Sequence, residues 1–350
     1  MSGTLFFWRS ALRCGLCSLR QRVSGTVLFR GRKMKDLLIK VPERAHKGLL
    51  DRETVVASIS RDLRPWCTLI EDIVSYGSNL IPRCFDSSDR GLKDAVVLAI
   101  LLRQVVAMLD SVHLLLSQGA CYVAQLPTRA LFESSVYIDW ILLSDPEKKS
   151  LYYYVHNLRR KRLWARRVQV GSAESKKFMD AINKSGIQVG EEVARQAQEQ
   201  LTEIERLLST STFAAVSAEF DRFLNRRKYD PAWYVPLGPP NLRKLSEDVG
   251  KLTQYIIFYS TSSQAMHASS YEGHISIGKG EITFQPIRSL EGFGTVLNFS
   301  VAEALATYRR VLQEYRREEL PAFSRKYLEK WQRDFLNVPH IKVKVDPIRI

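Results

Sequence analysis

The chain has 350 residues, of which 45% are apolar and 25% are charged. This balance is ordinary for a globular protein with a packed core, so it excludes a disordered chain, a collagen-like fibre and a disulfide-stabilised miniprotein. The net charge is +15, and such an excess favours anionic partners, most often nucleic acid or an anionic surface.

The first 33 residues are basic, lack acidic residues and are rich in Ser and Leu. This composition is typical of an organellar presequence. Alternatively, the segment belongs to a reading frame that starts too early. The apolar run at 5–8 is too short for a secretory signal. Met34 begins a more conventional start, so we favour the early reading frame, although a membrane-surface anchor is a further hypothesis. We expect residues 1–33 to be a disordered basic extension and residues 34–350 to form a single helical domain.

Helical spacing of apolar residues predicts a bundle along the rest of the chain. The predicted helices cover residues 51–83, 89–117, 120–143, 146–167, 174–185, 190–209, 213–225, 241–249, 251–270 and 291–337. Pro65 and Pro321 mark predicted breaks and Pro127 a predicted kink. Asp145 followed by Pro146 carries the signals of a helix start.

After residue 274 the apolar period changes from helical to alternating. Ile275 and Ile277, a Gly-Lys-Gly turn at 278–280, and then Ile282 and Phe284 predict a β-hairpin. The predicted fold class is therefore all-α, a helical bundle with one small β-hairpin near residues 274–286.

The most apolar stretch, residues 95–116, is interrupted by Arg103, Asp110 and His113. A membrane span needs about 20 mostly apolar residues with few charges, so we expect a buried bundle helix and no integral membrane span. The five cysteines are scattered and odd in number, which indicates buried free thiols in a reducing compartment. We therefore expect a cytoplasmic protein.

Two predicted helices carry polar residues where the pattern expects apolar ones. On the first, Arg129 and Glu133 lie four residues apart on one face of a strongly apolar helix. Buried charges need partners, so this pair cannot be entirely solvent-facing. On the second helix the polar residues recur every four positions: Tyr255, Tyr259, Ser263 and His267.

If these two faces meet, they hold the groups for acid–base chemistry on a phosphate. Glu133 would orient His267 and raise its basicity, so that His267 acts as general base or acid near neutral pH. Arg129 would bind a phosphate or carboxylate through its two-pronged donor geometry. Ser263 or Tyr259 would position the substrate. This set suits metal-independent cleavage of RNA, in which the 2′-hydroxyl attacks, and makes Arg129, Glu133, Ser263 and His267 the candidate catalytic residues.

The same residues have a structural interpretation. A buried Arg–Glu pair can fix helix register, and a histidine four residues after a serine can be a satisfied core residue. The alternative is therefore a non-catalytic helical interaction module or homodimer with a structural buried polar network.

A basic run around Trp164 contains six cations: Arg159, Arg160, Lys161, Arg162, Arg166 and Arg167. Cations interleaved with an aromatic residue can grip a nucleic-acid backbone and stack a base, which predicts RNA or another anionic ligand as partner. The alternative is a solvated face that completes a helix C-terminus. Residues 226–228 form a smaller basic cluster with the same two interpretations.

Ligand spacings for metals and nucleotide cofactors are missing from the sequence. No glycine-rich phosphate loop occurs, Cys14 and Cys17 lack a second zinc-ligating pair, and His267 and His274 are seven residues apart. We expect no metal and no other cofactor.

Taken in order, these motifs resemble an uncharacterised bacterial all-helical family, a domain of unknown function, over about residues 90–285. The resemblance rests on the Arg-x-x-x-Glu helix, the stretch 152–164, Trp233-Tyr234 with the proline-rich loop, residues 242–250, and the Ser-x-x-x-His pattern. It implies an all-helical fold and no established activity.

The bundle with a polar histidine is also distantly similar to the HEPN superfamily, many of whose members are ribonucleases or toxins of conflict systems. This analogy implies an RNA-cleaving protein of a defence or stress system. That superfamily typically places an arginine a few residues before the histidine on one helix. Here no arginine lies between Lys251 and His267, so Arg129 would serve from another helix.

Overall fold

The computed structural model describes residues 36–40, 50, 52–86, 92–169, 171, 173–185, 190–224, 230–266, 274–278, 281–344 and 348–349. The α-helices are α1 (Arg52–Ser58), α2 (Arg64–Asp86), α3 (Leu92–Ser117), α4 (Gln125–Leu143), α5 (Pro146–Val168), α6 (Ala173–Lys184), α7 (Glu191–Leu208), α8 (Ser211–Leu224), α9 (Leu242–Asp248), α10 (Leu252–Gln254), α11 (Ser260–Met266), α12 (Phe293–Tyr315), α13 (Leu320–Lys326) and α14 (Gln332–Leu336). Three π-helices cover Ile59–Leu63, Tyr255–Tyr259 and Tyr327–Trp331. The strands are β1 (Asp36–Lys40), β2 (Ile275–Gly278), β3 (Glu281–Phe284), β4 (His340–Lys344) and β5 (Ile348–Arg349).

The predicted fold class is confirmed, and so is the hairpin. β2 and β3 pair antiparallel with Ile277 opposite Ile282, and β5 extends this sheet at β3. The sequence did not predict a second, parallel pair in which β1 lies beside β4, with Leu38 opposite Lys342. Short strands so far apart in the chain leave no local turn signal by which to recognise their pairing.

Two of the proline predictions need correction. Residues 120–124 form turns and a bridge to Ser289, so α4 begins at Gln125 and Pro127 falls in its first turn instead of kinking it. A proline in the first turn removes no intrahelical hydrogen bond. The break predicted at Pro321 occurs earlier, at Arg316, and Pro321 lies in the first turn of α13.

The helix start predicted at Asp145 is confirmed, but the cap is not made by the Asp145 side chain. Asp145 adopts a left-handed conformation with φ 45° and makes no capping hydrogen bond. A different polar contact joins this helix to the end of α4: the buried Lys149 ammonium donates to the Trp140 carbonyl at 2.6 Å and to Ser144 Oγ at 3.0 Å. Lys149 thereby satisfies a carbonyl near the C-terminal end of α4, and its burial lowers the pKa of the ammonium group.

The chain divides into two compact units. The first consists of the described residues within 1–88, 99–139 and 253–350, and the second of those within 89–98 and 140–252. Residues 1–33 lie outside the described part of the chain. The single helical domain expected over 34–350 stays a prediction.

In the first unit, α12 is buried along most of its length and packs against α2. Gly77 of α2 is required here, because a Cβ at this position would clash with the Tyr308 hydroxyl. The rings of Tyr76, Phe323 and Trp331 pack against one another beside this contact. An aromatic cluster therefore joins α2, α12 and α13.

Polar and aromatic contacts also fix α4 on α12. Thr128 Oγ1 and Ser300 Oγ lie 2.9 Å apart, and Ser135 Oγ donates to Glu303 Oε2 at 3.0 Å. Between these two contacts, Phe132 packs on Phe299 with ring centres 5.7 Å apart. One face of α4 is thus held against α12, and the face that carries Arg129 and Glu133 is directed elsewhere.

The apolar helix and the cysteines behave as expected where the structure describes them. Residues 95–117 of α3 are long and apolar enough to cross a membrane by length and composition, but 50% of the apolar window is buried, and no integral membrane span is evident. Cys67, Cys84 and Cys121 are free and buried, and burial raises their pKa to about 11, about 12 and about 12. Thiols in this state are unreactive.

Candidate functional site

The candidate site starts from one face of α4. Arg129, Glu133 and Tyr137 follow one another at four-residue intervals, which places them on the same side of the helix. The Tyr137 hydroxyl donates to Glu133 Oε1 at 2.6 Å. All three side chains are half-buried, so this face is neither a solvated surface nor a dry core.

The opposing side of the site is formed by the π-helix Tyr255–Tyr259 and the following α11. The amide of Ser260 donates to the Tyr255 carbonyl, the i→i+5 bond of a π-helix. Tyr255 and Tyr259 stack with ring centres 5.0 Å apart and an interplanar angle of 24°. The predicted column of polar residues on this helix is therefore present as far as the structure describes it. π-Helical turns occur frequently at functional sites.

The two helix faces meet at the Arg129 guanidinium. Nη2 donates to the Tyr259 hydroxyl at 2.8 Å, and Nη1 donates to Ser263 Oγ at 3.4 Å and to Met266 Sδ at 3.0 Å. The guanidinium carbon also lies 4.3 Å from the centre of the Tyr259 ring, a cation–π contact. The structure thus brings together Arg129 and Ser263, as the sequence analysis proposed.

Arg129 and Glu133 do not form the direct ion pair that their spacing suggested. The Tyr259 hydroxyl lies between them, accepting from Arg129 and donating to Glu133 Oε2 at 3.4 Å. Burial, and after it the Glu133 charge, raises the pKa of this hydroxyl, so Tyr259 stays protonated and able to donate at neutral pH. A neutral tyrosine therefore couples the cation to the carboxylate.

Part of the site is exposed to solvent. Met266 is 51% exposed while its sulfur touches Arg129, and Ser263 is half-buried. A thioether is a weak acceptor, so it is a poor partner for a guanidinium N–H. The Met266 contact is consequently the part of the site that a ligand can replace most easily.

Two residues of the site, Tyr137 and Met266, were not predicted from the sequence. Tyr137 was detectable, since it lies four residues after Glu133 on an apolar helix, whereas Met266 offered no signal. His267 lies outside the described residues, and so does any distance between Glu133 and His267.

The basic run of α5 divides into cations with different surroundings. The Arg159 side chain is 2% exposed and pairs with Asp221 at 2.8 Å and Asp230 at 3.0 Å. It also donates to Ser217 Oγ at 2.8 Å. Burial opposes the charge on Arg159, but the hydrogen bonds to Asp230 and Asp221 outweigh it and raise the pKa. Arg159 is therefore an internal anchor that cannot reach a nucleic acid.

The remaining cations are closer to solvent. Arg166 and Arg162 lie 2.7 and 3.8 Å from the Glu205 carboxylate. Arg167 lies 5.6 Å from the ring centre of Trp164, which is exposed. Arg160 and Lys161 are exposed as well. An RNA contact along this run stays a prediction for these five residues, and residues 226–228 lie outside the described part of the chain.

Across the residues that the structure describes, no group of three or more His, Cys, Asp and Glu side chains is arranged to hold a metal ion. His274 instead packs edge-on against Tyr122, with ring centres 5.1 Å apart. The Arg129 guanidinium donates to two hydroxyls and a thioether, and such a cation suits an anion-binding site better than a metal site.

The fold and the site define an all-helical protein with a half-buried Arg–Tyr–Glu cluster on two facing elements. Residues 94–282, more than half of the chain, match a family of unknown function, DUF5677. The chain belongs to this family, which fits the uncharacterised all-helical family expected from the motifs. No curated protein and no solved structure matches the chain.

Proposed function

We propose that this protein binds a phosphate-bearing ligand at Arg129 and, in the more specific form of the proposal, cleaves RNA without a metal ion. The observation that carries the proposal is the state of the guanidinium. Arg129 is half-buried, yet within the described part of the chain it has no carboxylate within ion-pair distance. A cation that is partly removed from water and lacks a counter-ion favours an anion, and a guanidinium fits phosphate in particular.

The surrounding side chains support this role. Tyr259 and Ser263 hold the guanidinium in place, so little side-chain entropy is lost when a ligand binds. A phosphate oxygen replaces the Met266 thioether on Nη1 and exchanges a weak acceptor for a charged one. Glu133 is engaged by two tyrosine hydroxyls and so does not neutralise Arg129 directly.

In the RNA-cleaving form, the 2′-hydroxyl oxygen attacks the adjacent phosphorus and the bond to the 5′-oxygen breaks. The products are a 2′,3′-cyclic phosphate and a free 5′-hydroxyl, so one proton leaves the 2′-oxygen and one is delivered to the 5′-oxygen. His267 is the general base or acid of this step, Glu133 orients it, and Arg129 stabilises the charge on the phosphate. The proposed setting is cytoplasmic, in a defence or stress system.

The test is cleavage of end-labelled single-stranded RNA in a chelator, with the 3′ ends analysed for cyclic phosphate. We expect cleavage by the wild-type protein and a loss of about 10²–10⁴-fold in His267→Ala, the usual contribution of a general acid or base. Arg129→Lys keeps the charge but loses the fork geometry, and we expect it to weaken phosphate binding.

His113→Ala, a half-buried histidine on α3, is the matched control. A folded His267→Ala protein that keeps full cleavage would overturn the RNA-cleaving form. An Arg129→Ala protein that binds inorganic phosphate as the wild type does would overturn the proposal as a whole.

A second candidate is a non-catalytic interaction module or homodimer, and the bridging hydroxyl of Tyr259 favours it. The hydroxyls of Tyr137 and Tyr259 pair with Glu133, as expected of a network that only fixes helix packing. This candidate predicts that Glu133→Ala lowers the melting temperature while the wild-type protein binds neither phosphate nor RNA.

A further inference from the structure

Tyr255 has no part in the chemistry proposed so far, although it belongs to the same stack of side chains. We infer that Tyr255 is the stacking platform for a base of single-stranded RNA whose phosphate lies on Arg129, which makes Tyr255 the residue that selects nucleotides over other phosphates. This inference rests on the proposed function and names its substrate class.

The geometry places the Tyr255 ring close to the Arg129 cation. The Arg129 guanidinium carbon lies 4.3 Å from the Tyr259 ring centre, and that ring centre lies 5.0 Å from the Tyr255 ring centre. The Tyr255 ring is therefore within about 9.3 Å of the guanidinium. A short stretch of single-stranded RNA can span the distance between a phosphate on Arg129 and a base stacked on Tyr255.

Tyr255 is also available to a ligand. Tyr259 is buried, whereas Tyr255 is half-buried, so the accessible part of the Tyr255 ring lies away from their mutual contact. Among the described residues the Tyr255 hydroxyl has no hydrogen-bond partner, unlike the hydroxyls of Tyr259 and Tyr137. A tyrosine that only completed the core would be expected to bury its ring and pair its hydroxyl.

An aromatic face beside a guanidinium is the chemistry by which proteins hold unpaired nucleotides. Bases stack on Phe, Tyr, Trp or His, and arginine holds the backbone, with little dependence on base identity. A base inside a duplex already has both faces covered. The platform therefore requires single-stranded RNA.

The experiment compares two probes with the full-length protein by fluorescence anisotropy at one salt concentration. The first is a short single-stranded 2′-O-methyl RNA, which lacks the attacking hydroxyl and cannot be cleaved by that route. The second is an oligomer of the same length and backbone without bases. We expect the wild-type protein to bind the first probe at least fivefold more tightly than the second.

Tyr255→Leu removes the ring. We expect it to weaken binding of the base-containing probe by about 5- to 150-fold, the range of one base–aromatic stack, and to leave binding of the abasic probe unchanged. Tyr255→Phe keeps the ring and should bind like the wild type. Tyr154→Leu is the matched control, because Tyr154 is another half-buried tyrosine packed on an aromatic ring, that of Phe213 at 5.6 Å.

Each outcome separates this inference from the proposed function. Equal affinity of the wild type for both probes, or full binding by a folded Tyr255→Leu protein, overturns the platform. If Arg129→Leu still abolishes binding of the abasic probe, the proposed function stands without it. Failure of the wild type to bind either probe overturns both. If the Tyr255→Leu protein unfolds, the affinities of the wild type and of Tyr255→Phe for the two probes still test whether Tyr255 is the platform.

Discussion

Two arginines in this protein, Arg129 in the first unit and Arg159 in the second, are held in opposite ways. Arg159 is buried and neutralised by Asp221 and Asp230. Arg129 is half-buried and rests on hydroxyls, a thioether and an aromatic ring. The first arrangement pairs its cation with two carboxylates, whereas the second has no carboxylate within ion-pair distance among the described residues.

The comparison shows that cation density along the sequence is a poor guide to which cations are available. Arg159 opens the run of six cations that suggested a nucleic-acid surface, and its acidic partners lie more than sixty residues further along the chain. Arg129 is the only cation of an apolar helix, α4, and this position suggested that it is buried. The role of each arginine depends on which carboxylates lie beside it in the folded protein.

The largest expected effect separates the two arginines by stability. Arg159→Leu removes the buried cation of an ion network whose carboxylates reach solvent, and we expect it to cost about 1.5–3 kcal/mol of unfolding free energy, as for hydrogen bonds to charged groups. Arg129→Leu loses hydrogen bonds in a half-buried site and should cost about 1 kcal/mol. Chemical denaturation of both variants measures the difference, with Arg160→Leu as the exposed control. Equal losses would show that Arg129 is as structural as Arg159.

A smaller effect should appear as pH dependence around His156, one turn before Arg159. Burial, followed by the Arg160 charge, lowers the pKa of His156 below its ordinary value near 6.5. Below that value the unfolded chain binds the proton more readily than the folded chain, so stability falls with falling pH. The slope is limited to about 1.4 kcal/mol per pH unit, which is the effect of one proton.

His156→Gln should flatten the stability profile between pH 7 and pH 5, as measured by denaturant titration at each pH. An unchanged profile would mean that His156 is not the group responsible.

The smallest expected effect concerns the charge next to Arg129. Glu133→Gln keeps oxygen and amide groups for the tyrosine hydroxyls but removes a negative charge near the bound phosphate, so we expect anion affinity to rise about threefold. Cleavage should slow at least tenfold if Glu133 orients His267. Weaker phosphate binding by this variant would contradict the proposed site, and isothermal titration with inorganic phosphate measures it.

Much of the fold could be predicted because its signals are local. Helix periodicity, the Asn241 cap, whose Oδ1 accepts from the Lys244 amide at 3.0 Å, and the alternation around the Gly-Lys-Gly turn all act within a few residues. The parallel pairing of β1 with β4 and the true start of α4 depend on contacts between distant segments. Sequence pattern alone does not contain that information.

The candidate site was likewise predictable where its signals are local. Four-residue spacing selected Arg129, Glu133, Tyr259 and Ser263, since helical periodicity fixes which residues share a face. It did not indicate that Tyr259 would stand between the two charges, because that depends on how closely the helices approach.

The wide turn at residues 255–259 makes the site tolerant of a shorter chain at one place and sensitive to it just beyond. An i→i+5 turn accommodates one more residue than the α-helical turn it replaces. Excising a single amino acid within the turn would allow the ordinary ladder to close and would leave the downstream residues near their present facing. Excising one from α11 before Ser263 would instead rotate Ser263 by about 100° around the axis, away from its arginine. A one-residue deletion in this short stretch would therefore be better tolerated than one in the helix that follows.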